Sequence, residues 1–408
     1  MPPKPPSLAV LVAITTLNPL ALNILQPALP ELARTLASDY GTLQLTLALF
    51  LVASAVSQIV LGPISDHFGR RPVALAGILI FIAGSAACFV ASSVATLVFG
   101  RIVQAIGGIT GFVVSRAVIR DLHGRDASAS KLGYVTMAMV IVPMLSPLVG
   151  GWLSQQFGHT SIFAFTGAIG IVALVFALID LSETRRFSES NEKVSILGAY
   201  ATLLSSRAFI AHSMTMGLTS ATFFTFLAGT PYVVIELQRA SPAVFGLWWM
   251  IASIAFMLGN FLAGRLGERI GSDRLVEVGT GLPLIGLALL AAGYAWMPDE
   301  PAVLFVATIP GWIGSGLSLP GAAANALSVR PDLAGAASGL SGAFHLGAGA
   351  IASYVVGHLL FDTAWPMIGI MAITATAALV ASFVAGKPPA PAVKPGAGDP
   401  TSGEGLIG

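Results

Sequence analysis

The sequence predicts an all-α membrane protein of twelve transmembrane helices in two pseudo-symmetric six-helix halves. Three observations carry this prediction. The 408 residues are 55% hydrophobic and only 10% charged, against about 25% charged in an ordinary soluble domain. Apolar stretches near the roughly 20 residues that a spanning helix needs recur along nearly the whole chain. The basic residues sort to one side of those stretches. A soluble core of this content would lack the polar surface to cover it. Barrel strands alternate over about ten residues, whereas LTLALFLVASAVSQIVL (45–61) is apolar on both faces.

The spans are expected at 7–29, 42–64, 73–93, 96–119, 133–156, 161–181, 208–230, 243–265, 275–296, 302–327, 335–358 and 366–385. With the N-terminus in the cytoplasm, every Lys and Arg except Arg34, Arg239 and Arg101 falls on or beside the cytoplasmic side. That asymmetry sets the orientation, and an even span count places both termini inside. Met1-Pro2-Pro3-Lys4 leads into the first span without a small-residue cleavage pattern, so no cleaved signal is expected. The net charge of +1 says nothing about partners. The lone Cys88 excludes an intrachain disulfide and a cysteine-built metal site.

Taken in order, the spans carry a few residues that a lipid-facing helix would not need. Span one holds Asn18, Asn23 and Gln26, which require partners in an apolar setting. Between spans two and three lies LGPISDHFGRRPV (61–73), charged and rich in Gly and Pro. It reads as a tight turn, with Gly62 and Gly69 permitting close backbone approach and Pro63 and Pro72 fixing its ends. Arg70 and Arg71 serve at least as topology anchors. Asp66 can face Arg70 and the end of span four, where Arg116, Arg120 and Asp121 lie, or the N-terminal end of span eleven. Arg101 lies a few residues inside span four, with Gln104 one turn on sharing its face. It either faces a cavity or snorkels to the surface. A cavity reading gives a positive potential that favours neutral or anionic compounds over cations.

Pro143, Pro147, Gly150 and Gly151 would bend span five and let it pack closely. Span seven carries Phe223, Phe224 and Phe226 with Thr222 and Thr225, either as an aromatic drug pocket or as core and lipid-facing rings. His345, near the middle of span eleven, is a candidate titrating group or a hydrogen-bonded packing residue. The longest polar loop, SETRRFSESNEKVS (182–195), divides the chain. The expected organisation is an N-terminal half 1–181, a cytoplasmic central loop 182–207, a C-terminal half 208–385 and a disordered cytoplasmic tail 386–408, rich in Pro and Gly. GPISDHFG (62–69) lines up with GRLGERIG (264–271), each after the second span of its half, which points to an internal repeat. Two such halves are the layout of transporters that rock around a central site.

At the level of motifs the sequence resembles the major facilitator superfamily, and more narrowly its drug:proton antiporters of the bicyclomycin and chloramphenicol resistance type. The stretch 62–72 matches the signature between spans two and three, and RIVQAIGG (101–108) and SRAVIRD (115–121) match those of span four. PMLSPLVGG (143–151) fits the antiporter signature of span five, and QPALPEL (26–32) and AGAASGLSG (334–342) fit the subgroup. The resemblance implies that the 62–72 stretch is a conformational switch holding the cytoplasmic gate, and that span five lies between the halves. Many relatives carry an aspartate four residues before the first proline of the P-A-L-P run; this chain has Asn23 there.

No P-loop, G-x-S-x-G elbow, H-E-x-x-H or dinucleotide fingerprint occurs, so no enzyme is expected. The expected function is secondary export of small amphipathic drugs or toxic compounds by alternating access, coupled to protons, from the inner membrane. No cofactor or metal is expected beyond the proton gradient. The partners expected are a small molecule and the lipid bilayer, with no nucleic acid, and the chain is expected to act as a monomer. The alternatives are a dedicated carrier of one metabolite and a membrane receptor that keeps the fold without transport.

Overall fold

The computed structural model describes residues 5–122, 125–184 and 196–385. The side chains of 120, 125–134, 136–138, 140, 196–197 and 268 lie outside the described set. The side chain of Arg120, the tail 386–408 and most of the central loop therefore fall outside it.

Twelve long helices follow one another in the order of the expected spans. They are α1 Leu8–Ile24, α2 Leu45–Phe68, α3 Arg70–Phe89, α4 Val94–Leu122, α5 Arg125–Phe157, α6 Thr160–Asp180, α7 Arg207–Pro231, α8 Pro242–Ile270, α9 Ser272–Trp296, α10 Ile309–Ser328, α11 Ala334–Leu359 and α12 Trp365–Ala385. Among the described residues eleven of these regions are long and apolar enough to cross a membrane, and α5 completes the set at the position of the fifth span. Large apolar side chains such as Val56, Phe99, Ile179, Leu247, Phe261 and Ile373 are more than half exposed. An apolar outer surface of this extent belongs in lipid, and the chain is a multi-pass membrane protein.

Packing repeats with a period of six helices. In the first half α1 packs on α4, α5 and α6, α2 on α4, and α3 on α4 and α6. In the second, α7 packs on α10, α11 and α12, α8 on α10, and α9 on α10 and α12. The halves meet where α5 packs on α8 and α2 on α11, pairs that the same period exchanges. The aligned glycines repeat too. Gly69 has φ 99° and ψ 155°, Gly271 has φ 88° and ψ 146°, and each ends a helix by donating its N–H to the carbonyl four residues back, Ser65 or Gly267.

Several boundaries differ from the expected ones, each for a local reason. The 61–73 stretch is not a loop: α2 runs through Phe68 and α3 starts at Arg70, so Gly69 alone joins them. Pro72 sits in the first turn of α3, where a missing N–H is harmless. Span one continues past residue 29 through Gln26–Ala28 and Leu29–Thr35, because Pro27 and Pro30 occupy helix starts. The tenth span is broken between Pro301–Val306 and α10. Pro310 cannot donate to the Val306 carbonyl, and Thr308 secures the break by donating to Leu304 O at 2.7 Å and accepting from Trp312 Nε1 at 3.0 Å. Part of the expected central loop, Ile196–Leu204, is helical.

Candidate functional site

A cavity of about 190 Å³ lies between the halves, lined from α1, α5, α7, α8, α10 and α11. Its polar residues are Asn23, Ser220, Ser253 and His345, and its aromatic residues are Phe223, Phe224, Trp249, Phe256 and Trp312. Asn23 Oδ1, Ser220 Oγ and His345 Nδ1 are buried and have no hydrogen-bond partner among the described residues. The Asn23 amide is oriented by its own backbone: Nδ2 donates one of its two N–H groups to the Pro19 carbonyl at 2.8 Å. Unsatisfied polar atoms in an apolar setting are costly, about 1–3 kcal/mol each, which marks this wall as a place where helices can rearrange.

The rings largely face one another. Phe223 meets Phe224 at 87° and Trp312 at 89°, both edge to face. Among the described residues no Asp, Glu, Lys or Arg lines the cavity. A cation would gain about 0.5–2 kcal/mol from a ring face, whereas an ion taken from water without a counter-charge costs several kcal/mol. Desolvation wins, and the cavity suits uncharged molecules.

Trp249 ties the cavity wall to the contact between halves. Pro147 has no N–H, so the Pro143 carbonyl one turn earlier loses its helical partner. Trp249 Nε1, on the facing α8, donates to that carbonyl at 3.1 Å. Close packing surrounds the bond. A Cβ on Gly246 of α8 would lie 2.6 Å from Leu148 Cα of α5, Gly151 abuts the Pro242 carbonyl, and Gly150 abuts the Ile24 carbonyl of α1. Thus all four singled-out residues of α5 stand at backbone-to-backbone or cross-half contacts.

Of the candidate cavity residues, Asn23, Phe223 and His345 line this cavity, and Asn18, Gln26, Arg101, Gln104 and Phe226 do not. Arg101 is 1% exposed, so it does not snorkel either. Its guanidinium lies 4.1 Å from the Phe50 ring centroid and donates through Nη1 to Ala21 O at 3.0 Å and Gln104 Oε1 at 2.6 Å. Gln104 Nε2 then donates to Ser85 Oγ at 2.8 Å. This network joins α1, α2, α3 and α4 inside the first half. Asn18 donates to Ser54 Oγ at 3.1 Å, joining α1 to α2. Gln26 donates to Leu22 O. Phe226 packs behind the cavity against Phe305 and Trp312. The polar and aromatic cavity residues that the sequence did not single out are Ser220, Ser253, Trp249, Phe256 and Trp312; the Pro-x-x-x-Pro spacing at 143–147 was the one available signal, since it demands an external donor.

At the end carrying Gly69, Arg70 gathers the motif. Its guanidinium bonds Asp66 at 2.5 Å, Asp121 at 3.0 Å and Ser65 Oγ at 2.6 Å. Glu183, just beyond α6, accepts the N–H groups of Arg70 at 2.9 Å and Arg71 at 3.0 Å, capping α3. Arg71 also donates to Leu178 O at 3.1 Å. These contacts knit α2, α3, α4 and the end of α6 together. Arg116 stands apart, over the Phe112 ring at 4.1 Å. Gly62 makes no close approach, since a Cβ there would meet nothing within 4 Å. Asp66 is 64% exposed at its side chain and does not reach α11, where Gly335 also borders open space.

The opposite end is sealed across the halves. The Tyr232 N–H bonds Gly229 O, leaving the Ala228 carbonyl of α7 for partners from the first half. Tyr40 Oη donates to it at 2.6 Å and Gln44 Nε2 at 3.0 Å. Arg34 pairs with Glu236 at 3.6 Å beside them. A second, wider hollow of about 860 Å³ lies between α7 and α12 on the outer, lipid-facing side, with Arg207 at its edge and otherwise nearly apolar walls. It is not between the halves.

Comparison with known proteins gives a consistent picture. Residues 11–239 match the family model described as Major Facilitator Superfamily. An uncharacterized MFS-type transporter of Bacillus subtilis is 31% identical over 382 residues, covering 91% of this chain and 92% of the relative. A chloramphenicol resistance protein of Pseudomonas aeruginosa is 29% identical, covering 90% and 87%. The fold matches a partially occluded, inward-open xylose transporter of Escherichia coli with a TM-score of 0.72 at 15% identity, covering 92% and 95%.

Proposed function

The chain belongs to the major facilitator superfamily, and from that premise we propose that it exports small amphipathic toxic compounds in exchange for protons. The observation that carries this reading is the cavity lined by both halves, with three unpartnered polar atoms among five aromatic rings. Transport is by alternating access. A compound enters from the end carrying Gly69, lodges between the halves, and leaves when the Tyr40–Ala228 and Gln44–Ala228 bonds open and the Asp66 end closes. Small side chains at the start of α11 give the motif cluster a surface to close on. The basic end is cytoplasmic, both termini lie inside, and the protein works as a monomer in the inner membrane.

Among the described residues the cavity lining holds no carboxylate, so the proton travels on His345, on a carboxylate at a span end or on the substrate. A hypersensitive bacterial host expressing the chain is the test. Tolerance to some members of a broad panel of amphipathic antibiotics should rise, and should fall back when Ala252→Phe fills the cavity. Unchanged tolerance across the whole panel, with the protein present in the membrane, would contradict the export reading.

A further inference from the structure

We propose that the furrow between α7 and α12 binds an anionic phospholipid of the bilayer, with one acyl chain along its apolar floor and the phosphate on Arg207. This rests on the outer face of the molecule and not on what the carrier exports. Length is the first argument. The lining runs from Arg207 to Leu218 on α7 and from Ala372 to Val384 on α12, about 16 Å at 1.5 Å per residue. That is the depth of one leaflet, half of a hydrocarbon core of about 30 Å. Shape is the second. Ala211, Ala377 and Ala381 leave the space between the helices unfilled, and Met214, Ile373 and Val384 stand exposed along its margins. At the inner end the helices close, with the Thr222 and Thr374 hydroxyls 2.8 Å apart. Farther on, a Cβ on Gly229 would lie 2.7 Å from Met367 Sδ. The hollow of about 860 Å³ therefore ends one leaflet deep, and its apolar walls favour a hydrocarbon chain over water. Charge is the third. Arg207 is exposed, and among the described residues it forms no ion pair and is the one charged group of the lining. It is the first residue of α7, where the apolar span begins, so it sits at headgroup depth. A guanidinium there favours an anionic headgroup over a zwitterionic one, and its planar fork matches two phosphate oxygens.

The test uses phosphatidylglycerol and phosphatidylcholine, each with a photoreactive diazirine on one acyl chain, as minor components of nanodiscs that hold the purified full-length chain. After irradiation, labelled residues are located by peptide mass spectrometry. The phosphatidylglycerol probe should label 207–218 and 372–384 about fivefold more than the phosphatidylcholine probe, the effect of one basic residue near the membrane surface. On α9, where Ile285 and Leu289 are exposed, the two probes should label alike. Arg207→Gln should erase the preference in the furrow, and Arg207→Lys should keep it. Ala377→Trp, which fills the floor, should abolish furrow labelling by both probes while labelling of α9 persists. Melting curves identify any variant that fails to fold, and the wild-type comparison of furrow with α9 decides the proposal in that case. Equal labelling of the wild-type furrow by both probes would overturn the proposal, as would a preference that survives Arg207→Gln. Furrow labelling unchanged in a folded Ala377→Trp variant would do the same. So would a furrow that neither probe labels while α9 is labelled, and a dimer detected by mass would then identify a second copy as the occupant.

Discussion

Gly69 and Gly271 hold the same left-handed backbone turn in the two halves, but in different surroundings. A Cβ at 271 would meet nothing within 4 Å, whereas one at 69 would lie 2.7 Å from Glu183 Oε2, the carboxylate that caps α3. Gly271→Ala should therefore cost only the backbone penalty of a conformation essentially confined to Gly, about 1–3 kcal/mol, and Gly69→Ala that penalty plus a disturbed cap of about 1 kcal/mol. Thermal melting in detergent should rank the two, with Gly69→Ala the lower; equal losses would remove Glu183 from the account. Arg101 is a second case. Its partners are a ring, a carbonyl and Gln104, all within the first half. Arg101→Leu should lower the melting temperature, by about 2–4 kcal/mol of stability, without altering preference between neutral and cationic compounds. A selectivity change at unchanged melting temperature would restore Arg101 to the transport path. The sequence placed Arg101 a few residues inside span four but did not show which way it pointed, because a hydrophobic span shows depth along its axis and little about rotation. Asn23 and His345 were legible as polar side chains within spans, which must turn toward protein, but that rule holds equally for Asn18, which lies outside the cavity.

The contact between α5 and α8 rests on one exchange of donors. Pro147 removes an N–H from the helix, and Trp249 replaces it from across the halves. Trp249→Phe keeps the ring and loses the donor, and should destabilise by about 1 kcal/mol. Pro147→Ala restores a helical N–H to the Pro143 carbonyl, so Trp249→Phe should be nearly silent in that background. A double-mutant cycle on melting and on transport should show this coupling; additive effects would mean the bond is incidental. Element positions were legible throughout, because about 20 apolar residues must cross as helix. Their ends were less so. Gly69 as the whole of the 2–3 connection, the break before Ile309 and the helix Ile196–Leu204 depend on capping and on tertiary partners, such as Glu183, 113 residues from Arg70 in sequence.

For the whole molecule, the six-helix period of packing and the repeated glycine turn give two halves that meet through α5–α8 and α2–α11. The motif match at 62–69 and 264–271 already pointed to this repeat, whereas the sealed end did not show in the sequence. Tyr40, Gln44 and Ala228 meet only because α7 loses a regular helical bond at Ala228. Alternating access requires that this seal open once per cycle, with the halves moving as units. The direct test replaces Cys88 by Ser, introduces Arg34→Cys and Glu236→Cys at the ion pair that spans the seal, and joins them with a short bifunctional maleimide. Efflux of a substrate identified in the susceptibility panel is then measured in cells before and after joining. Loss of efflux on joining, with the unjoined double variant and a carrier modified at either cysteine alone still active, is the predicted result. Undiminished efflux by fully joined carriers would contradict alternating access through this end.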